Sequence, residues 1–237
     1  MGASGKYTTR SGRRIKIQLV SNPSHLEAVD PVALGRVRTR QTRAGIDALS
    51  RIMPLVIHGD RAFAGQGILA ETLNYADLKG FTVGGTVHVV VNNMLGFTTS
   101  PEDLHSSRFA SSAARRQPIP IFHVNGEDLD AVARTARMAA EYRYSFASDV
   151  IVDLIGYRRH GHSEVDDPTI TQPQLYRRIK EHPPLWRIFA KSIGADIGRR
   201  AEQIRTEFET AQKQATTLTE RPFLSPAPLY WRIQRPH

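Results

Sequence analysis

Cysteine is absent from the 237 residues, so the chain can form no disulfide, no thiolate nucleophile and no zinc–thiolate site. No apolar run approaches the ~18 residues that a membrane-spanning helix needs. Residues 1–14 also lack the apolar stretch of a secretory signal. These absences suit a protein of a reducing compartment, and we expect a cytoplasmic protein with no membrane partner.

Positive charge exceeds negative charge, which raises the question of a nucleic-acid partner. Lysine and arginine number 32 against 23 acidic residues, giving a net charge of +9. The arginines fall into scattered groups at 36–43, 115–116, 158–159 and 199–200. No nucleic-acid motif accompanies these groups, and basic charge alone does not indicate such a partner. We therefore expect solvated basic faces, with some arginines serving an anionic ligand, and no nucleic-acid partner.

Five short apolar runs, rich in β-branched residues and bounded by turn signals, predict strands. They are 15–20, 55–57, 87–91, 119–124 and 150–155. Their continuous hydrophobicity is typical of strands that are buried on both faces of a parallel sheet. Helices are predicted between them over 67–78 and 128–146. The alternation predicts an α/β fold with a mostly parallel sheet flanked by helices.

The chain changes character after Pro168. Prolines recur at positions 168, 173, 183 and 184, and a charged helical stretch follows over about 196–215. Residues 221–237 contain too many prolines for a regular element, and we expect them to wrap around the protein or to move. We predict one domain over residues 1–190 and a helical, proline-rich extension over 191–237.

The segment 58–99 carries polar residues at the ends of two neighbouring predicted strands. One strand ends in a Gly-Asp pair at Asp60, a glycine-rich turn opens a helix, and the next strand ends in an Asn-Asn pair at Asn93. The carboxyl ends of parallel strands form the ligand sites of α/β sheets. Since Mg²⁺ takes oxygen ligands together with phosphates, Asp60, Asn93 and the carbonyl of Leu95 are candidate ligands. Taken singly, Asp60 can instead cap the helix and Asn93 can shape a turn.

This pattern resembles the motif of thiamine diphosphate-dependent enzymes, in which Asn-Asn follows Gly-Asp after about thirty residues. The resemblance implies the thiamine diphosphate-binding fold, with Mg²⁺ held by Asp60, Asn93 and the carbonyl of Leu95. It also implies that the two residues after the aspartate, here Arg61 and Ala62, bind the cofactor. The family usually has small residues directly after this aspartate. The Arg61 guanidinium can pair with a phosphate, or its bulk can crowd the site.

Two further stretches resemble the 2-oxo acid dehydrogenases, and among them the first components that decarboxylate 2-oxoglutarate. SNPSHLEAVDPVALGRVR, from residue 21, implies that His25 contacts the substrate, and we predict a catalytic and substrate-binding role for it. A hydrogen-bond donor there suits a dicarboxylic acid. GYRRHGHSEVDDPTITQP, from residue 156, implies that His162 binds the cofactor diphosphate. The alternative for the His-x-His of this stretch is a metal site, which would need further ligands.

A third stretch, IPIFHVNGEDLDAVA from residue 119, also resembles these dehydrogenases and implies a scaffold role. His123 within it either faces the site or belongs to the core. The family also carries an acidic residue at a position that is Ser112 here, which implies that a buried charge has lost its partner.

The resemblance implies oxidative decarboxylation of 2-oxoglutarate, with this chain supplying the diphosphate-binding half of the enzyme. The implied partners are a pyrimidine-binding half, on a separate chain or missing, and a lipoyl-bearing succinyltransferase component within a homo- or hetero-oligomer. The alternative is a catalytically inactive fragment or remnant. An exposed apolar face is expected where the missing half would dock.

Overall fold

A computed structural model describes residues 2–45 and 47–217. Their contacts divide the chain into two compact units, with the boundary between His182 and Pro183. The first unit holds every sheet and the residues predicted to form the site. The boundary predicted at residue 190 stays a prediction.

Four parallel strands form the central sheet of the first unit, in the order β3–β4–β6–β5. These strands are β3 (Leu55–Gly59), β4 (Val87–Asn92), β5 (Ile121–Asn125) and β6 (Val150–Ile155). Asn92 of β4 and Asn125 of β5 both pair with Ile155 of β6, so the carboxyl ends of the strands reach the same edge of the sheet. The predicted α/β fold with a parallel sheet is confirmed.

The first predicted strand has a different environment from the one its composition suggests. Residues 15–20 correspond to β2 (Arg14–Leu19), which pairs antiparallel with β1 (Ala3–Thr8) in a separate two-stranded sheet. Ile15, Ile17 and Leu19 are exposed. The prediction that this strand is buried within the parallel sheet was wrong, because its apolar residues alternate with Lys16 and Gln18 and mark one face of a hairpin only.

Helices flank the sheet and lie between its strands along the chain. In the first unit they are α1 (Val29–Ala44), α2 (Ala48–Arg51), α3 (Asp60–Gly65), α4 (Gly67–Asn74), α5 (Leu129–Phe146), α6 (Pro168–Thr171) and α7 (Pro173–Glu181). The predicted helix from 128 begins where the Asp128 side chain accepts a hydrogen bond from the backbone N–H of Ala131. The predicted helix from 67 is shorter than expected and ends at Asn74. Helices α1 and α7 were not predicted, because charged residues interrupt their apolar spacing.

The two faces of the sheet carry separate cores. On one face, Val90 and Ile151 pack with Phe63 and Leu69 of the helices that follow β3. On the other, Val87 and Val152 pack with residues of α5 such as Ala139. This second core does not extend across β3, where Leu55 and Ile57 are exposed, or to Val91 at the end of β4. The exposed side chains of Leu55, Ile57 and Val91 lie on the same face of the sheet and are here called the β3 patch. The expectation that a missing half docks on an exposed apolar face stays a prediction.

A buried arginine joins α5 to two loops. Arg143 is 1% exposed and donates hydrogen bonds to the backbone carbonyls of Leu49, Ile52, Val83 and Gly85. These carbonyls precede β3 and β4. Burial lowers the pKa of Arg143 from its ordinary value, but the carbonyl acceptors compensate for the removal of the guanidinium from water.

The second unit contains α8 (Leu185–Ser192) and α9 (Ile197–Thr217). Helix α9 agrees with the charged helix predicted over 196–215, and none of its residues is buried. The proline-rich stretch 221–237 lies outside the described residues. Over residues 2–45 and 47–217, no helix has both the length and the apolar character needed to cross a bilayer.

Candidate functional site

Asp60 directly follows β3 and is buried at the carboxyl edge of the sheet, with 2% of its surface exposed. Burial raises the pKa of its carboxyl, while hydrogen bonds from the backbone N–H groups of Asp60, Asn93 and Arg61 and the charge of Arg158 lower it. Its Oδ2 atom has no hydrogen-bond partner among the described residues. A buried carboxylate oxygen without a partner costs free energy, so this position suits a bound cation.

The loop after β4 brings Asn93 to the same place. The Asn93 backbone N–H faces the Asp60 carboxylate, and the Asn93 Oδ1 atom accepts a hydrogen bond of 3.1 Å from the Leu95 N–H. Met94 and Phe97 both have φ of 57°, a left-handed conformation that is uncommon outside glycine. The amide oxygen therefore shapes a turn, as the alternative reading of the sequence predicted, and it retains a second lone pair for another partner.

Contacts of Gly96 and Leu95 hold this loop in place. A Cβ atom on Gly96 would lie 2.2 Å from Leu104 Cδ2, so a larger residue there would require the buried Leu104 side chain to move. The Leu95 side chain is 3% exposed and packs with Tyr176 and Ile179 of α7. The predicted metal ligand at this residue is its carbonyl, and the buried side chain holds the backbone of the loop in position.

Arg61 and Ala62 follow Asp60 at the start of α3. The Arg61 Nη1 atom donates a hydrogen bond of 2.6 Å to the Leu104 carbonyl, and the aliphatic part of the side chain lies against Gly96. Ala62 is buried. In this structure the Arg61 guanidinium is therefore committed to the loop after β4.

The loop that carries His162 lies against the loop that carries Asn93. The His162 ring meets the Phe97 ring edge-on, with 5.5 Å between centroids, and Gln172 Nε2 donates a hydrogen bond of 2.6 Å to the Thr98 carbonyl. The His162 N–H donates to Asp166 Oδ2, and a Cβ atom on Gly161 would lie 2.1 Å from the Asp166 carbonyl oxygen. The His162 side chain is thereby placed, exposed, near the same edge of the sheet.

A cavity of about 580 Å³ lies beside these loops, between residues 159–169 and α7. Its lining includes the cations Arg159 and Lys180 and the acids Glu164 and Asp166. Neither Asp60 nor Asn93 lines it. Because the cavity lacks the buried, unpartnered carboxylate, we place the candidate site at Asp60 rather than in the cavity.

His25 lies on the exposed segment between β2 and α1. Its carbonyl accepts a hydrogen bond from the Ala28 N–H, and its side chain makes no hydrogen bond to another described residue. The structure therefore brings together Asp60, Asn93 and the His162 loop, and no hydrogen bond among the described residues joins the His25 side chain to them.

Two residues after His25, Glu27 enters a buried polar chain that the sequence analysis missed. Glu27 Oε2 lies 2.6 Å from His58 Nδ1, and His58 Nε2 lies 2.9 Å from His88 Nδ1. Asp30 Oδ2 lies 3.7 Å from His58 Nδ1, and Asp149 Oδ2 lies 3.7 Å from His88 Nε2. All five side chains are buried. The available signal was a histidine at an inward position of two otherwise apolar strands, since a polar residue there needs a buried partner.

Burial dominates the protonation of this cluster. It raises the pKa of Glu27 and raises that of Asp30 to about 7, and it lowers the pKa of His58 to about 3. In the region of the chain that the structure describes, Glu27, Asp30 and His58 are the one group of three potential metal ligands with mutually close atoms. His160 and His162 thus gain no third ligand, and the metal-site alternative for them lacks support.

Asp153 forms a second buried polar centre, on β6. It accepts hydrogen bonds from Asn92 Nδ2, from Ser111 Oγ at 2.6 Å and from the His123 ring at 3.0 Å. Ser111 is one of three buried residues of the 3-10 helix Ala110–Arg116, and Ser112 is only half-buried. Both carboxylate oxygens of Asp153 therefore have hydrogen-bond partners. Asp153 also holds Asn92, the residue before Asn93, in position. The His123 ring stacks on Phe109 and stays partly exposed.

These residues fit a hard divalent cation with a diphosphate. Asp60 offers a buried carboxylate oxygen that has no partner among the described residues. Asn93, whose backbone N–H faces that carboxylate, carries an amide oxygen. Oxygen donors are the ligands that Mg²⁺ prefers, and it usually completes its shell with water and phosphate oxygens.

The sequence of this chain matches a known protein family. Residues 3–217 match the family model described as the dehydrogenase E1 component. The chain is 45% identical over 194 residues to the mitochondrial 2-oxoglutarate dehydrogenase of Schizosaccharomyces pombe, covering 81% of this chain and 19% of that protein. It is 47% identical over 193 residues to the 2-oxoglutarate dehydrogenase E1 component of Haemophilus influenzae, covering 81% and 21%.

A Bacillus velezensis protein, also named 2-oxoglutarate dehydrogenase E1 component, is 42% identical over 216 residues, which cover 89% of this chain and 23% of that protein. The chain thus spans about a fifth of the length of the curated relatives it matches. The family match extends over both the parallel sheet and the loops that carry Asp60, Asn93 and His162. The chain belongs to the dehydrogenase E1 component family.

Proposed function

We propose that this chain supplies the diphosphate- and Mg²⁺-binding part of a 2-oxoglutarate dehydrogenase E1 component. The observation that carries the proposal is the buried Asp60 carboxylate, whose Oδ2 atom has no partner and which lies beside Asn93 at the carboxyl ends of β3 and β4. Relatives named for this activity are 42–47% identical to the chain. When bound, thiamine diphosphate supplies the electron sink that decarboxylation of a 2-oxo acid requires.

The residues of this chain have separate parts in the proposal. Asp60, the Asn93 amide oxygen and the Leu95 carbonyl hold Mg²⁺, and Ala62 leaves the backbone after Asp60 open to the diphosphate. His162 donates a hydrogen bond to the diphosphate. His25 lies on a separate exposed segment, and it binds the 2-oxoglutarate carboxylates once substrate is present.

The proposed partners follow from the resemblance to 2-oxo acid dehydrogenases. A pyrimidine-binding half completes the cofactor site, and the exposed β3 patch offers apolar surface for docking it. The succinyl product passes to a lipoyl-bearing succinyltransferase component. The working enzyme is a homo- or hetero-oligomer, and its cytoplasmic location stays a prediction.

Isothermal titration calorimetry tests the cofactor proposal. Thiamine diphosphate with Mg²⁺ is titrated into the wild-type chain, into Asp60→Ala and into Asp77→Ala, which removes an exposed carboxylate as a matched control. We expect binding by the wild type and the control, and none by Asp60→Ala. If the wild type alone does not bind, the titration is repeated with the pyrimidine-binding half of a relative. Continued absence of binding with that half rejects the proposal.

A second candidate function is a folded, catalytically inactive remnant of this enzyme. Arg61 favours this second candidate, because the family usually has a small residue directly after the aspartate. The Arg61 side chain instead lies against Gly96 and donates a hydrogen bond to the Leu104 carbonyl. Arg61→Ala separates the two candidates. Binding that appears only in this variant supports the remnant, and weaker binding than the wild type supports a phosphate-pairing role for the guanidinium.

A further inference from the structure

The buried chain Glu27–His58–His88 links the segment that carries His25 to the strand that ends at Asp60. Glu27 lies two residues after His25, and His58 lies two residues before Asp60. The 2.6 Å contact between Glu27 Oε2 and His58 Nδ1 is the closest side-chain link between the segment of His25 and β3. It is fully shielded from water, with 0% of the His58 side chain and 4% of the Glu27 side chain exposed.

Glu27 adopts a strained backbone in order to make this contact. Its φ is 62°, a left-handed conformation that is unfavourable for a residue other than glycine. Such strain persists only when surrounding contacts hold it. The turn is closed by hydrogen bonds from the Ala28 N–H to the His25 carbonyl and from the Asp30 N–H to the Glu27 carbonyl. The side chain is thereby directed inward while His25 stays on the surface.

The geometry favours a hydrogen-bonded chain over a bound metal ion. Glu27, Asp30 and His58 lie close enough to be considered as ligands. However, ligand atoms at ~2.1 Å from one ion, at the angles of an octahedron or tetrahedron, lie roughly 3 Å or more apart. The 2.6 Å separation between Glu27 and His58 is shorter and is that of a hydrogen bond.

One assignment of protons satisfies both hydrogen bonds of the chain, while His88 Nε2 has no hydrogen-bond partner among the described residues. A protonated Glu27 carboxyl donates to His58 Nδ1, and His58 Nε2–H donates to His88 Nδ1. His88 Nε2–H then faces the Asp149 carboxylate at 3.7 Å. Burial, which raises the pKa of Glu27, acts in the same direction.

We propose that Glu27 is a positioning residue, which holds the segment bearing His25 against β3 and so sets the place of His25 relative to Asp60. The functional meaning of this placement rests on the proposed function, but the placement itself does not. Glu27 touches neither substrate nor cofactor in this proposal, and it acts through His58.

Hydrogen exchange in the absence of cofactor tests the placement. We compare the wild type with Glu27→Leu, which removes the contact, and Glu27→Gln, which keeps an amide that can donate to or accept from His58 Nδ1. In Glu27→Leu we expect the amides of residues 24–31 and 56–60 to exchange about tenfold faster or more, because a buried hydrogen bond is lost. Glu27→Gln should restore wild-type exchange. If Glu27→Leu does not fold, Glu27→Asp, which shortens the side chain, is analysed in the same way.

The matched control is Gln41→Leu. Gln41 is buried on the same helix α1 and donates to the carbonyls of Ile52 and Val83, outside the chain of Glu27. We expect it to lower stability without loosening residues 24–31. Equal loosening in Gln41→Leu, or loosening of only one of the two segments in Glu27→Leu, would overturn the proposal, as would a Glu27→Gln variant that resembles Glu27→Leu.

A spin label reports directly on the segment of His25. Because the chain has no cysteine, Ser24→Cys gives a single site for a nitroxide. We expect its spectrum to gain a mobile component in Glu27→Leu and to lose it in Glu27→Gln, and identical spectra in all three backgrounds would refute the placement. Neither measurement contains thiamine diphosphate, so a failure here is distinct from a failure of cofactor binding.

Discussion

Replacing Asp60 by asparagine should make the unliganded protein more stable while it removes cofactor binding. The wild-type structure holds a carboxylate at 2% exposure with Oδ2 unpartnered, and burial raises its pKa. Asparagine has nearly the same shape and no charge, and its Oδ1 can still accept from the backbone N–H groups. Removing a buried, incompletely paired charge is worth about 1–3 kcal/mol, so we expect the free energy of unfolding to rise by this amount.

Urea denaturation with and without Mg²⁺ and thiamine diphosphate measures both effects. A ligand at 100 times its dissociation constant stabilises the folded state by about 2.7 kcal/mol, and we expect this increment in the wild type, or in the wild type with the pyrimidine-binding half, but not in Asp60→Asn. Asp77→Asn serves as the exposed control and should change neither quantity. A less stable unliganded Asp60→Asn would show that the carboxylate is a structural partner, and the argument for a site prepared for a cation would fail.

Three further predictions concern the surrounding framework. Asp30 has a pKa of about 7 in the folded protein against an ordinary value of 3.8, so the folded state binds its proton more tightly than the unfolded state does. The free energy of unfolding therefore falls as the pH rises from about 4 to 7. In urea denaturation at pH 5 and pH 8, the wild type should show this fall, on the order of 3 kcal/mol, and Asp30→Asn should not. Arg143→Met removes a donor from four buried carbonyls, of which those of Ile52 and Val83 keep the Gln41 side chain as a donor. The loss at Leu49 and Gly85 should lower the free energy of unfolding by about 2–6 kcal/mol, and a loss below about 1 kcal/mol would contradict its role. Gly161→Ala should weaken cofactor binding at least tenfold in calorimetry, because its Cβ displaces the turn that holds His162; Gly156→Ala, which meets no atom within 4 Å, should bind as the wild type does.

The sequence predicted the parallel sheet well because burial on both faces produces uninterrupted apolar runs. Strand β4, with VHVVVN, and strand β6, with VIVDLI, show this pattern and lie in the middle of the sheet. The same reasoning failed for β2, since a six-residue run cannot distinguish an exposed hairpin from a buried strand. Helix α1 escaped prediction because its buried residues, Leu34 and Gln41 among them, include polar ones.

Some residues of the candidate site were predictable from the sequence, and others were not. Asp60 and Asn93 were predictable, because both follow strands and the carboxyl ends of parallel strands meet at one edge. The path of the segment that carries His25 was not predictable, since no local pattern fixes where an irregular segment runs. The partners of His58 and His88 also depend on tertiary contacts over about thirty residues of sequence. Sequence position showed that these histidines were unusual, but only the fold showed what they contact.

Strand β3 lies at the end of the sheet order, and its Leu55 and Ile57 side chains are 54% and 67% exposed. An apolar strand at a sheet edge is a template on which a second chain can add. Any self-association through this edge would rise with protein concentration and would release or absorb heat on dilution. Calorimetric titrations of this chain should therefore be run at several protein concentrations, and only the heat that does not change with concentration should be assigned to ligand binding.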